Sequence, residues 1–273
     1  MLSEQLCAEF ADRGIICLRG AFTGQDADRM RRRVWAGLSR FGVREDDPST
    51  WSAADLTGLS KSIKRDAVFT AAGSPAVTGA VDYLLRPGEW TRPPDWGTVL
   101  VTFPGFPEPG RPWTLPAKSW HTDYGIDLEL VPLSGVKVFA FISGVGPRGG
   151  GTVAIAGSHR VVARYARSNP PDYRRDRHVL ERFLRHDDWF RALSRPGGAP
   201  RRTARFLERD HQAYGITVRV TELTGQPGDV VLTHPWVLHR WAPNTGSYPR
   251  MMLTRNLYRM GMFRRPWQRG QDA

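Results

Sequence analysis

His121 and Asp123 stand one residue apart in the stretch 119–125, SWHTDYG. On an extended strand, residues two apart point to the same side, so this imidazole and this carboxylate can converge on one cation. His186 and Asp188 repeat the spacing inside a helical stretch, where residues two apart diverge by roughly 200°, and so they make a poor chelating pair. A third ligand must come from elsewhere in the chain. His234 and His239 lie five apart in GDVVLTHPWVLHRWAPN, residues 228–244. On a continuous strand they face opposite sides, so only one of them can join the pair. The turn residues that follow, PNTGSYP, predict a hairpin. A turn centred on Asn244–Thr245 sets Arg250 directly opposite His239, with Cβ atoms roughly 5 Å apart.

Those residue types suit one chemistry well. Two neutral imidazoles and a carboxylate on one face of an octahedral Fe(II) leave three positions open. Two of these accept the keto oxygen and a carboxylate of 2-oxoglutarate, and the third accepts O2. The far carboxylate of 2-oxoglutarate then needs a fixed cation, which a bidentate guanidinium supplies. The residues at 121, 123, 239 and 250 meet these needs.

The elements that carry them change character along the chain. Amphipathic spacing predicts helices over 3–14 and 23–42, flanking a short apolar strand at GIICLRG, and another helix over 74–85. From residue 97 onward come short β-rich runs separated by Gly and Pro turns, the pattern of an antiparallel sandwich or barrel. Residues 170–195 interrupt them, with Leu180, Phe183, Leu184, Trp189, Phe190 and Leu193 at helical spacing. This is a helical insertion, placed to serve either as a lid or as a packing buttress.

Bulk properties set the bounds. At 273 residues the chain is long enough for one large domain with a well-buried core. Its 40% apolar and 24% charged residues are those of a globular protein, and no apolar run reaches the roughly 20 residues that span a bilayer. Glu4 and Glu9 stand where a signal peptide needs a positive start and an apolar core, so a cytoplasmic enzyme is expected. Cys7 and Cys17 form neither a disulfide framework nor a zinc knuckle and read as small buried side chains. The formal charge is +12, and 35 of the 39 basic residues are arginine. That permits an anionic ligand, but the basic clusters do not converge on one segment, which argues against a nucleic-acid groove.

With these residues in view, the sequence resembles the phytanoyl-CoA dioxygenase family of Fe(II)/2-oxoglutarate oxygenases. The likeness rests on WHTD at 120–123, GGGTVAIAGSH at 149–159, and the 228–244 block followed by Arg250. It implies a single domain over 1–273. That domain is mainly β: a double-stranded β-helix, or jelly-roll barrel, over about 97–260, a mostly helical support over 1–96, and a helical insertion at about 165–212. It implies His121, Asp123 and His239 as iron ligands and Arg250 as the clamp for the cosubstrate's side-chain carboxylate. Thr152 and Phe139 fall where relatives line the cosubstrate pocket, and Thr102, on the strand before the metal motif, is placed to add a polar contact. One departure is Trp241, at a position where many relatives carry a small hydroxyl residue to hold 2-oxoglutarate. Asp123 is retained, whereas related halogenases replace it with a small residue, so halogenation is not expected.

The resemblance implies a small-molecule substrate oxidised with Fe(II), 2-oxoglutarate and O2, with no membrane partner. Oxidative demethylation of nucleic acid is a second reading, prompted by the charge and by Arg255 near Arg250. A non-catalytic jelly-roll binding protein is a third. His159 and His234 are expected to be structural, His178 and His211 exposed, and Trp236 core, with Trp113 and Trp120 bordering the substrate.

Overall fold

The computed structural model describes residues 2–51, 56–123, 133–168 and 179–261. Helix α1 (Glu4–Arg13) starts at Ser3, whose hydroxyl accepts from the Leu6 amide, and stops at Gly14 in the left-handed conformation. Strand β1 (Ile15–Leu18) follows, then α2 (Gly24–Leu38), capped by Thr23 on the Asp26 amide. A short α3 (Leu59–Ile63) and α4 (Pro75–Leu85) complete the N-terminal layer. Pro75 occupies the first turn of α4, where its missing N–H costs nothing.

The remaining strands are β2 (Thr98–Thr102), β3 (Gly135–Phe141), β4 (Thr152–Ala156), β5 (His211–Ala213), β6 (Ile216–Leu223), β7 (Val230–Thr233), β8 (His239–Trp241) and β9 (Arg250–Tyr258). They form two antiparallel sheets: a larger one in the order β1-β7-β3-β9-β2 and a smaller one in the order β5-β6-β4-β8. Among the described residues the strands make these two facing sheets rather than one closed barrel. Between β4 and β5 lie α5 (Ser158–Ser168), α6 (Val179–His186), α7 (Asp188–Leu193) and α8 (Ala199–Phe206). The insertion therefore begins in α5, earlier than the expected boundary at 165.

Strand parity divides the interior into three apolar clusters. On the larger sheet Val136, Val138 and Ala140 face outward and are covered by Phe10, Met30, Val34, Leu38 and Val81 of the N-terminal helices. Phe139 and Phe141, one residue out of step, point the other way and meet Ala154, Ala156 and Leu223 of the smaller sheet. The outer face of that smaller sheet, at Val153, Ile155, Val218 and Val220, is covered by Phe183, Trp189, Phe190, Leu193 and Phe206 of the insertion. Burying each such side chain contributes about 1.5–3 kcal/mol, so these helices act as buttresses that hold the two-sheet unit together. Trp113 and Trp120 lie in this third cluster, 8% and 3% exposed, together with Trp236. Trp236 is core as expected, and Trp113 and Trp120 pack into the same cluster beside it.

Arg250 corrects the predicted hairpin. His239 pairs with Ala154 of β4, whereas Arg250 pairs with Thr102 of β2 in the other sheet. The turn after His239 carries the chain across from one sheet to the other, so the local turn signal gave the wrong partner. The backbone partner of His239 on its free side is His121, through paired bonds of 3.2 Å and 3.0 Å.

Candidate metal centre and anion clamp

The three expected ligands meet. His121, Asp123 and His239 offer ligand atoms that all lie within 4.8 Å of one another. Asp123 Oδ2 stands 3.3 Å from His239 Nε2, and Asp123 Oδ1 stands 3.7 Å from His121 Nε2. Among the described residues this is the one cluster of His, Cys, Asp or Glu with metal-binding geometry.

The local chain sets each ring in the same way. His121 Nδ1 donates to the Ser119 carbonyl at 2.9 Å, and His239 Nδ1 donates to the Val237 carbonyl at 3.0 Å. A ring that gives its Nδ1 proton to a carbonyl presents an Nε2 lone pair, here toward Asp123. Electrostatics agree with that tautomer. Burial, then the neighbouring Lys137 ammonium, holds His239 down at about 4. Burial and the adjacent His239 also lower His121. Both rings are therefore neutral near pH 7, as a divalent cation requires. Two neutral nitrogens and one carboxylate, with no thiolate, form a donor set that fits Fe(II).

Arg250 is placed for a different task. It is 4% exposed, on the inner parity of β9 with Met252, Thr254 and Asn256. Its Nε and Nη2 both donate to Thr102 Oγ1, at 3.2 Å and 2.5 Å, and Nη1 donates to Met252 Sδ at 2.7 Å. Among the described residues no carboxylate pairs with it. Burial pushes the guanidinium down to about 10, far too high to discharge it at neutral pH. A buried cation without an anion is costly, and this one is aimed into the space between the sheets. Thr102 is thus brought directly onto Arg250. Phe139 lies edge-on to His239, with ring centroids 5.9 Å apart. Thr152, 4% exposed, sits opposite Trp241 on β4.

Other residues fall elsewhere. Trp241 packs on Phe106 at 5.2 Å, with the Arg240 guanidinium 4.5 Å from its ring, and it borders a cavity of about 260 Å³ shared with Phe106, Pro116 and Arg202. The rest of that cavity's lining comes largely from the 105–117 loop and from the insertion at Pro196, Gly197 and Arg202. His159 and His234 form a buried structural pair 4.6 Å apart. His211 is half-buried, stacked on Trp189 at 5.3 Å, rather than exposed. His186 packs on Tyr165, and Asp188 pairs with Arg191, so the two side chains go to separate partners rather than to one cation. His178 lies outside the described residues.

Sequence reading missed Lys137. It is 8% exposed, and its ammonium is in contact with the Asp123 carboxylate. Burial pushes it down to about 8. The signal was present in GVKVFAF, a lysine at the same parity as two phenylalanines in a strand buried throughout.

A two-sheet jelly-roll with a His-x-Asp and distant His cluster, and an unpaired arginine facing inward, defines a class of non-haem metal enzyme. The phytanoyl-CoA dioxygenase (PhyH) profile matches residues 10–252, and the chain belongs to that family of Fe(II)/2-oxoglutarate-dependent enzymes. No curated protein matches the sequence closely enough to count. Several solved structures share the fold. HygX from Streptomyces hygroscopicus, solved with nickel and 2-oxoglutarate, is 15% identical, with a TM-score of 0.52 over 96% of this chain and 88% of its own. EvdO2 from Micromonospora carbonacea var. aurantiaca, complexed with 2-oxoglutarate, is 14% identical, with a TM-score of 0.52 over 95% and 91%. SnoN, an α-ketoglutarate-dependent epimerase of nogalamycin biosynthesis, is 13% identical, with a TM-score of 0.51 over 98% and 91%. Among the described residues no helix is long and apolar enough to cross a membrane.

Proposed function

We propose that this chain oxidises a C–H bond of a small organic molecule, holding Fe(II) on His121, Asp123 and His239 and 2-oxoglutarate on Arg250. The observation that carries the reading is the convergence within 4.8 Å of two neutral imidazoles and one carboxylate from distant parts of the chain. Bound Fe(II), with 2-oxoglutarate and O2, supplies an oxidant able to take hydrogen from an unactivated C–H bond, with release of succinate and CO2.

The chain's own residues do the positioning. The Ser119 and Val237 carbonyls fix the two rings so that Nε2 is the ligand atom. Arg250 receives the far carboxylate of 2-oxoglutarate in a bidentate clamp, and Thr102 orients the guanidinium fork. Phe139, Phe141 and Met252 keep that space apolar, which strengthens the ion pair by excluding water. Phe139 and Thr152 line the cosubstrate pocket, and Thr102 adds a polar contact.

Hydroxylation is the simplest outcome. SnoN is described as an epimerase, so on this fold the product depends on how the substrate is placed. The demethylase reading loses its second arginine. Arg255 lies on the opposite face of β9 and is bound to Asp95 at 2.8 Å.

Anaerobic addition of Fe(II) and then 2-oxoglutarate is expected to give a weak visible charge-transfer band in the wild type and none in His121→Ala. Unchanged 2-oxoglutarate turnover in His121→Ala, with no band in the wild type, would sink the reading.

A further inference from the structure

Lys137 has no part in the function proposed above. Its strand places it on the inner face, and its ammonium touches Asp123 while standing 5.1 Å from the Phe139 ring centroid. An ammonium carries three N–H donors. Among the described residues Asp123 is its one hydrogen-bond acceptor. Directly across the ladder from Lys137 is Asn256, and across from Phe139 is Thr254. Among the described residues the buried Asn256 Oδ1, which can only accept, and the buried Thr254 Oγ1, which can donate, have no hydrogen-bond partner. Leaving a buried polar group unmatched costs about 1–3 kcal/mol. Three neighbouring positions on one wall beside the metal ligands thus hold unused hydrogen-bonding capacity.

The charges point the same way. A divalent ion, the Asp123 carboxylate, doubly charged 2-oxoglutarate and Arg250 cancel. Lys137 adds one positive charge that no other carboxylate among the described residues offsets at this place. Arg250 is six residues from Asn256 along β9, roughly 20 Å of strand, so the two cations serve different ends of the cavity.

We propose that Lys137, with the Thr254 hydroxyl beside it as a second donor, anchors an anionic group of the substrate, a carboxylate or phosphate held next to the metal ligands. This inference rests on the Fe(II)/2-oxoglutarate reading and narrows it. The substrate is an acid or phosphate ester, oxidised within a few bonds of its charge, and a hydroxyl or N–H next to that charge donates to Asn256 Oδ1.

The test uses the full chain loaded with Mn(II) and saturated with 2-oxoglutarate, with inorganic phosphate as the probe. Relaxation of the phosphorus nucleus by Mn(II) reports phosphate close to the metal, and calorimetry reports 2-oxoglutarate affinity separately. The wild type is expected to relax phosphate strongly. Lys137→Met should weaken phosphate binding at least about tenfold while leaving 2-oxoglutarate affinity nearly unchanged, and Lys137→Arg should retain both. Lys137→Gln serves if the methionine variant does not fold.

Equal relaxation in wild type and Lys137→Met overturns the anchor, as does absence of relaxation in the wild type. A selective loss of 2-oxoglutarate affinity in Lys137→Met also overturns it, because the bound carboxylate is then the cosubstrate's own. A wild type that binds no Mn(II) overturns the oxygenase reading too. A protein that takes up Mn(II) and 2-oxoglutarate but not phosphate overturns the anchor alone.

Discussion

Arg250 is a residue whose cost and use should separate cleanly. Buried and without a carboxylate, it strains the ligand-free protein, so Arg250→Met is expected to leave the melting temperature of that form unchanged or slightly higher. The same change should cost about 2–5 kcal/mol of 2-oxoglutarate affinity, measured by calorimetry on Mn(II)-loaded protein. Arg250→Lys keeps the charge but loses the planar fork and should fall between. Thr102→Val removes the oxygen on which Nε and Nη2 converge and should cost about 1 kcal/mol. Equal affinity across all three variants would remove Arg250 from cosubstrate binding. At this scale His121, Asp123 and His239 were legible from residue chemistry and spacing, although Asp123 stands on a bend rather than on a strand, and Arg250 was legible from the family resemblance, since the hairpin that set it opposite His239 does not form. Lys137 was not, because a lysine among apolar residues shows its partner only when the Asp123 bend, 14 residues away, is folded onto it.

The loop that joins β8 to β9 is held by Asn244, which is fully buried. Its Nδ2 donates to the Thr102 and Tyr248 carbonyls, both at 2.9 Å, and its Oδ1 accepts from the Gly246 amide at 3.0 Å. The backbone of the same residue bonds Phe106 and Gly105. One side chain thus fixes the crossing between sheets beside the Thr102–Arg250 pair. Gly150 leaves room for it, since a Cβ there would stand 2.6 Å from the Asn244 Cβ, on a backbone with φ of +77°. Asn244→Ala is expected to cost about 2–4 kcal/mol in urea unfolding, and Gly150→Ala a comparable amount. A cost under about 0.5 kcal/mol for Asn244→Ala would show that the crossing is held elsewhere. Sequence reading treated this stretch as a hairpin turn, because Asn, Thr, Gly and Ser signal a reversal without saying which sheet receives the next strand. Capping residues and apolar spacing, by contrast, located α1, α2 and α4 to within a few residues.

Across the whole molecule, α1 is joined to the β unit at a buried pair of histidines. His159 Nε2 donates to the Ala11 carbonyl at 3.1 Å, and the His234 amide donates to the Gly14 carbonyl at 2.7 Å. Burial pushes His159 down to about 4, with nearby Arg160 adding to it, and burial together with His159 lowers His234 well below the ordinary 6.5. The unfolded chain therefore binds more protons than the native one between pH 6.5 and about 4. Stability falls as pH drops through that window, by up to about 3 kcal/mol from His159 alone. His159→Gln should flatten the slope, and thermal melts at pH 7, 5.5 and 4.5 that run parallel for the two proteins would refute this account. The division into N-terminal support, β unit and helical insertion could be read from changes in hydrophobic period. Its closure at two histidines could not, because neither has a sequence neighbour that hints at the other. The backbone bridge between His121 and His239 carries a further implication for how the protein acquires its ion. Because main-chain bonds already join the two residues, loading requires little refolding of the polypeptide there. Their amide hydrogens should exchange with deuterated solvent equally slowly in the empty and the charged protein, so uptake is governed by delivery of the ion rather than by the chain's rearrangement.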